Sequence, residues 1–360
     1  MIRIEMLPAA HGDCLLVEYG DGTNVEGRML LDGGLKSTFK KALLPRLAEI
    51  GTPCPVDLLV VTHVDQDHIE GVLALLDLPK PERVLDARWV WFNGYGEISS
   101  GKLGPAQGED VSLRLSQLPY NWNAGFEKRI VVAPDAGKLP AVKLPGKATL
   151  TLLSPGRDQL RALVPVWKDA LREAGLRPGG GRLSAAAKAG ILGAKKKPLA
   201  RIAPSDVATL AGATTPMDDA EANGASIAFI LEHRRRKVLF AADAHPDVLE
   251  EGLRRYGGGE KVRLDAFKLP HHASKHNVPR SLLARIACRD FLVSTDGSRF
   301  GHPDPETIAR VLVTQKSPRL HFNYRSDYNR AWETAELREA RGYEAIYPKN
   351  AKGGLTVQVG

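Results

Sequence analysis

Cysteine is scarce in this chain, with 3 residues in 360, and Cys14, Cys54 and Cys288 form no Cys-x-x-Cys pair. An odd, scattered trio excludes a disulfide framework and suits a reducing compartment, so the expected location is the cytoplasm. Long apolar runs are also missing. No stretch approaches the roughly 20 apolar residues of a membrane span. The chain opens directly on the strand-like Ile2-Arg3-Ile4-Glu5-Met6-Leu7 instead of a basic region followed by an apolar one, so no membrane partner is expected. Histidine is absent between His68 and His233, which confines imidazole chemistry to the two ends of the chain. Negative charge is in deficit, 42 acidic residues against 50 basic ones. The net charge of +8 and pI near 9.3 point to an anionic partner, possibly nucleic acid.

Metal-ligand chemistry is concentrated in one short segment, Thr62-His63-Val64-Asp65-Gln66-Asp67-His68-Ile69-Glu70-Gly71. It follows Val56-Asp57-Leu58-Leu59-Val60-Val61, whose length and β-branched content predict a buried strand. A strand ending in His63, Asp65, Asp67 and His68 delivers imidazoles and carboxylates to one sheet edge. Imidazole suits Zn²⁺, Fe and Mn, and carboxylate adds a harder oxygen ligand.

The segment resembles the His-x-His-x-Asp-His signature of the metallo-β-lactamase fold, with Asp65 in place of the second histidine. Its His-x-Asp-x-Asp-His form is similar to the branch containing the hydrolase domain of the DNA-uptake protein ComEC. Other stretches resemble that branch in the same order. They are His11 to Glu18 with Met29-Leu30-Leu31-Asp32-Gly33-Gly34, Asn223 to Ile230 with Lys237 to Ala244, Phe267-Lys268-Leu269-Pro270-His271-His272-Ala273-Ser274, and Phe300-Gly301-His302-Pro303. The matches cover about 1–95 and 220–315.

The resemblance implies a four-layer αββα sandwich of mixed α/β class with one domain spanning 1–360. Its N-terminal half is 1–99, its C-terminal half 221–360, and 100–220 an insertion or lid between them. It also implies two divalent metals, Zn²⁺ favoured and Mn²⁺ an alternative because of the extra carboxylate. His63 and Asp65 would belong to one metal and Asp67 and His68 to the other, with Asp243 bridging. Of His271 and His272 one completes the second site; His272 is favoured as the ligand and His271 as a substrate-facing acid or phosphate contact. Asp67 would also orient a metal-bridged hydroxide, and His302 would serve as a further catalytic cation. Two departures stand out. Three carboxylates leave two divalent ions with about +1, brought near zero by hydroxide, so cations outside the core gain importance. The histidine that often completes the first site is missing, leaving His11, His302 or water to fill it. The implied activity is hydrolysis, with a phosphodiesterase or nuclease favoured. A same-fold hydrolase of phosphocholine-type esters, lactones or thioesters is the alternative, and a non-catalytic polyanion-binding module the rival from another class.

The remaining readings are local. Residues 38–50 predict a helix with Phe39, Leu43, Leu47 and Ile50 on one face, disturbed by Pro45. Further helices are expected at 69–77, 246–256, 279–287 and 304–315, strands at 262–269 and 290–295, and a closing edge strand near 354–359. Residues 161–201 hold ten Lys or Arg against Asp169 and Glu173 and include Pro178-Gly179-Gly180-Gly181 and Lys195-Lys196-Lys197. They read as a solvated spacer or as a basic arm for a polyanion. His233, beside Arg234-Arg235-Arg236, reads as part of a solvated turn, and His245, two after Asp243, as either a helix start or a residue near the site. Asp13 and Asp32 read as turn-makers, with Asp13 a candidate support for the metal loop. Arg319 to Arg325 suits either nucleotide stacking or strand packing.

Overall fold

The computed structural model describes residues 1–98, 106–173 and 197–359. Strands β1 (Ile2–Met6), β2 (Leu15–Gly20), β3 (Val25–Leu31), β4 (Cys54–Val60), β5 (Leu85–Trp91) and β6 (Asn121–Trp122) form most of a first sheet. A second sheet takes β7 (Ala141–Lys143), β8 (Thr149–Ser154), β9 (Ala228–His233), β10 (Arg236–Phe240), β11 (Val262–Lys268), β12 (Ile286–Val293), β13 (Arg319–Phe322) and β14 (Glu344–Ile346). The last strand, β15 (Leu355–Val359), returns to pair antiparallel with β1, giving the first sheet the order β15-β1-β2-β3-β4-β5-β6. The second runs in order from β14 down to β7.

Near-continuous apolar strands make sense because both faces of each sheet are covered. In β4, Leu58 and Val60 point between the sheets, where they meet the side chains of Leu150, Phe229, Leu231 and Phe240 in one core. The alternate residues Leu59 and Val61 face outward against Phe39, Leu43, Val72 and Trp167. On the far side, Ile230, Leu239, Phe267 and Phe291 pack under Leu249, Leu253, Leu282 and Ile308. The order helix, sheet, sheet, helix is therefore the αββα sandwich expected of the metallo-β-lactamase fold.

Several boundaries differ from the sequence reading. The helix over 36–50 is continuous but passes through a π-turn at Phe39–Leu43 just before Pro45, which accommodates the missing proline N–H. The helix after the metal loop starts at Gln66, not 69, so Asp67 and His68 lie in its first turn. The helix at Arg280–Ala284 is shorter than expected because β12 begins at Ile286.

The described parts of 100–220 are built into both layers. The helix Ala106–Gln117 buries Val111 and Leu115 on the first sheet, β6 extends that sheet, and β7 and β8 extend the second. The helix Arg157–Glu173 closes the outer face with Leu160, Leu163, Trp167 and Leu171. The Pro-Gly-Gly-Gly run and all of the basic segment between 174 and 196 lie outside the described residues. Among the described residues, no helix is long and apolar enough to cross a membrane.

Candidate metal centre

The parallel strands β3, β4, β10 and β11 end at one edge of the sandwich, and their following turns carry the candidate ligands. After β4 come His63, Asp65, Asp67 and His68; after β10 comes Asp243; after β11 come His271 and His272. Left-handed backbone marks these turns. Asp32 (φ 57°), Ala242 (φ 47°), His271 (φ 47°), His272 (φ 53°) and Ala273 (φ 66°) all adopt it without being glycine. Such conformations cost on the order of 1 kcal/mol or more each, and they gather where geometry is held for function.

Asp243 stands at the middle. Its Oδ2 lies 3.5 Å from His68 Nε2, 3.7 Å from His272 Nε2, and 3.9 Å from both His63 Nε2 and His271 Nε2. His63, His68 and Asp243 offer ligand atoms all within 4.8 Å of one another, and so do Asp67, His68 and His272. The second group brings together Asp67, His68 and His272, three of the residues expected around the second metal, while Asp243, the expected bridge, joins the first. In the first, His63 and Asp243 are joined by His68, while Asp65 approaches only His63, at 3.8 Å. Asp65 occupies the N-cap position of the helix Gln66–Leu76, yet its side chain makes no capping bond and stays 44% exposed. Neither His11 nor His302 enters either group. The His302 ring meets that of His271 edge-on, with centroids 5.6 Å apart, and His11 meets Phe300 edge-on.

Hydrogen bonding fixes which ring nitrogen of each histidine faces the centre. Thr62 Oγ1 gives its only hydrogen to Asp32 Oδ2 (2.7 Å), so at 3.0 Å it accepts from His63 Nδ1. His68 Nδ1 donates to Asp32 Oδ2 (2.8 Å), and His272 Nδ1 donates to the Ser294 carbonyl (2.9 Å). With Nδ1 so committed, the three Nε2 atoms point inward, each buried and without a hydrogen-bond partner, as is Asp243 Oδ1. Buried polar atoms are seldom left unpaired. Four of them converging with the ligand tautomer already set fit a bound divalent cation.

Two supports escaped the sequence reading. Asp32 is no ordinary turn-maker. Only 1% exposed, it accepts from the Thr62 backbone N–H (2.8 Å) as well as from Thr62 Oγ1 and His68. Replacing it with Asn should weaken metal binding about 10–100-fold, measured by competition with a chromophoric chelator; an unchanged affinity would remove Asp32 from the account. Lys268, 1% exposed, forms a buried ion pair with Asp13 Oδ2 at 2.6 Å, and Asp13 Oδ1 lies 3.5 Å from His272 Nδ1. A lysine interrupting an otherwise apolar strand end was the available signal. Asp13 also touches the metal loop directly, its backbone N–H donating to the Asp67 carbonyl.

Other candidates fall outside the centre. His233 is not solvated: it is 1% exposed and pairs through Nε2 with Glu26 at 3.1 Å. His245 precedes the helix Pro246–Tyr256 and bonds the Ala220 carbonyl. The Arg319 to Arg325 stretch is strand packing, with Arg319 and His321 both on Asp290 and Phe322 stacked on Tyr347.

In the metal-free protein, burial and the neighbouring His68 push His63 down to about 4. Burial also acts against His272, but the carboxylates of Asp243, Asp13 and Asp67 prevail and raise it to about 10. The protein packed around Asp65 and the nearby charge of Asp67 lift its carboxyl to about 6. At pH 7.5 the His272 ring therefore carries a proton that a metal must displace, and His68, also raised, competes in the same way. Metal binding at this pH should release protons, and the share from His272 should disappear as pH rises through 10. Calorimetry in buffers of different ionisation enthalpy reads this directly, and heats independent of the buffer would contradict it.

No protein-family model matches the sequence, and no curated protein matches it. Solved structures similar to it include CmlA, a diiron beta-hydroxylase from Streptomyces venezuelae, at 11% identity and TM-score 0.41. That match covers 99% of this chain and 54% of CmlA, so the chain spans about half that protein's length. Zn²⁺-bound PqqB from Methylobacterium extorquens is similar at 12% identity and TM-score 0.41, covering 99% of this chain and 100% of PqqB.

Proposed function

We propose that the protein is a metal-dependent hydrolase, and specifically a phosphodiesterase or nuclease related to the ComEC-type domain. The observation that carries the first part is the convergence of the unpartnered Nε2 atoms of His63, His68 and His272 on Asp243. Asp65 and Asp67 add oxygen donors on either side, which suits Zn²⁺ and leaves Mn²⁺ open. Two divalent ions held there would lower the pKa of a shared water and neutralise charge developing on substrate oxygens.

The chain's own residues supply the rest. Asp67, with Oδ2 3.5 Å from His272 Nε2, would ligate and orient a water beside the centre. His271, whose Nε2 lies 3.9 Å from Asp243 Oδ2 although the residue joins neither ligand group, would meet the substrate. His302, beside it, is the next imidazole outward. Phosphodiesters as substrates are supported by the net charge of +8, the basic run at 161–201 and the His-x-Asp-x-Asp-His form.

The test is a panel of single-stranded DNA, RNA, bis-p-nitrophenyl phosphate and nitrocefin, each with Mn²⁺ or Zn²⁺, comparing wild type with Asp67→Ala. Phosphodiester cleavage lost in Asp67→Ala supports the proposal. Cleavage of nitrocefin alone would transfer the protein to the lactone, ester or thioester class. Salt-sensitive DNA binding without any turnover would leave a polyanion-binding module.

A further inference from the structure

Strand β12 runs parallel to β11, so the turn after it reaches the same edge of the sandwich as the candidate ligands. That turn is closely tied down. The Asp296 backbone N–H donates to the Ala10 carbonyl (2.8 Å), and the Gly301 N–H to that of Gly297 (3.0 Å). Gly297 (φ 77°) has no room for a side chain, since a Cβ there would overlap the Tyr328 ring and come within 2.8 Å of the His302 carbonyl oxygen. Just beyond, the Asp304 N–H donates to the Ala273 carbonyl (3.1 Å), which joins the turn to the one that bears His271 and His272.

The turn presents Arg299 and Phe300, both half-buried. The Arg299 guanidinium carbon lies 5.1 Å from the centroid of the Phe300 ring, and the side chain forms no hydrogen bond or ion pair with any described residue. Other cations on the loops at this edge are committed, Lys275 to Glu306 at 2.8 Å and Arg325 to Glu333 at 2.7 Å. Phe300 is held between two imidazoles, His11 edge-on at 5.9 Å and His302 tilted at 6.0 Å, and the His302 ring in turn meets that of His271. His11 feels the charges of both Asp67 and Arg299, so the guanidinium stands beside the centre without belonging to it. A half-buried cation kept without an anion carries a cost that a ligand would relieve. Phosphate fits best, because the guanidinium offers a planar fork of donors matched to two phosphate oxygens. Attraction to the aromatic ring holds that fork in place without using its donors.

We infer that Arg299 binds the phosphate adjacent to the scissile one, which makes the site one for polynucleotide strands instead of isolated diesters. This rests on the phosphodiesterase reading above. The rings of Phe300, His302 and His271 lie in series between the guanidinium and Asp243. A diester held by the metals is then met by His271, and its neighbour in the strand by Arg299. A metal core brought near zero charge by its carboxylates and hydroxide draws a polyanion weakly, so a cation outside it sets the affinity for the strand. The contact is to phosphate and carries no base preference.

The experiment compares the full-length, metal-loaded protein on thymidylyl-thymidine, which has the scissile phosphate alone, and on hexathymidylate. Wild type should prefer the hexamer in kcat/KM. Arg299→Gln should remove about 10-fold of that preference through KM and make the salt dependence of log KM on the hexamer shallower by about one. Arg299→Lys, which keeps a cation, should retain the salt dependence and recover part of the preference. An unchanged preference, or an equal fall on both substrates, overturns the inference. Methylphosphonates walked along the hexamer remove the same charge without touching the protein. One position flanking the cleaved bond should cost wild type a similar factor, and the lack of any such position also overturns the inference. If wild type cleaves neither substrate, the phosphodiesterase reading fails, and fluorescence anisotropy with labelled hexathymidylate decides the phosphate contact. Binding weakened about 10-fold in Arg299→Gln, with a shallower salt dependence, supports it; binding equal to wild type, or none by wild type, overturns it.

Discussion

Asp243→Asn should strip the protein of both metals and of turnover together. The carboxylate oxygen at the centre lies within 3.9 Å of four imidazole Nε2 atoms, which makes it the group the surrounding histidines share. Asparagine keeps the shape and hydrogen-bonding backbone of the site, including the N–H that donates to Ser226 Oγ, but removes the charge that offsets a divalent ion. Metal affinity should fall by more than about 100-fold and hydrolysis by on the order of 10³-fold or more. Heating curves separate this from misfolding. Wild type should gain stability on adding metal, about 4 kcal/mol at a thousandfold excess over Kd. The variant should melt near the metal-free wild type and gain almost nothing. A variant still stabilised by metal would mean that Asp243 does not ligate.

The second large effect comes from a residue with no side chain. Gly71 sits in the helix Gln66–Leu76, where alanine ordinarily improves stability by roughly 0.5–1 kcal/mol. Here the sign reverses. A Cβ at Gly71 would stand 1.9 Å from the Gly33 carbonyl oxygen, and one at Gly33 would meet the Val72 nitrogen at 2.4 Å. The backbones touch so that Gly33 N–H can donate to the His68 carbonyl (2.9 Å) and Gly71 N–H to that of Gly34 (2.8 Å). These contacts seat the helix that carries Asp67 and His68 against the turn that carries Asp32. Gly71→Ala should therefore cost about 1–3 kcal/mol in urea unfolding and weaken metal binding as His68 shifts. Gly212→Ala serves as the control: it too is helical, but nothing lies within 4 Å of its Cβ, so it should be neutral or mildly stabilising.

These two residues mark what could be read from the chain and what could not. The strands were legible because apolar runs such as Val56 to Val61 bury both faces, and the ligand loop because imidazole and carboxylate alternate just past one of them. Local spacing pointed to His63, Asp65, Asp67 and His68, and the later motifs to Asp243 and His272. Partners arriving from distant turns were beyond such reading. Asp32 resembles any Asp-Gly turn until His68 and Thr62 are seen to bond it. Asp218 lies in a stretch without a motif, and Arg310, bonding both that stretch and the turn after His272, shows that the two are pinned together. His233 misled in the opposite direction: its arginine neighbours suggested solvent, whereas Glu26 from the other sheet covers it. The stretch 100–220 was unreadable because strands as short as β6 and β7 leave little alternation to detect.

The proposed chemistry depends on a pair of metals around Asp243. Anomalous diffraction from crystals grown with Mn²⁺ or Zn²⁺ tests it most directly. Two peaks are expected about 3.5–4 Å apart, one against His63 and the other against Asp67, His68 and His272, both touching Asp243. No peak there in metal-replete crystals, or a single ion that leaves Asp243 uncoordinated, would contradict it.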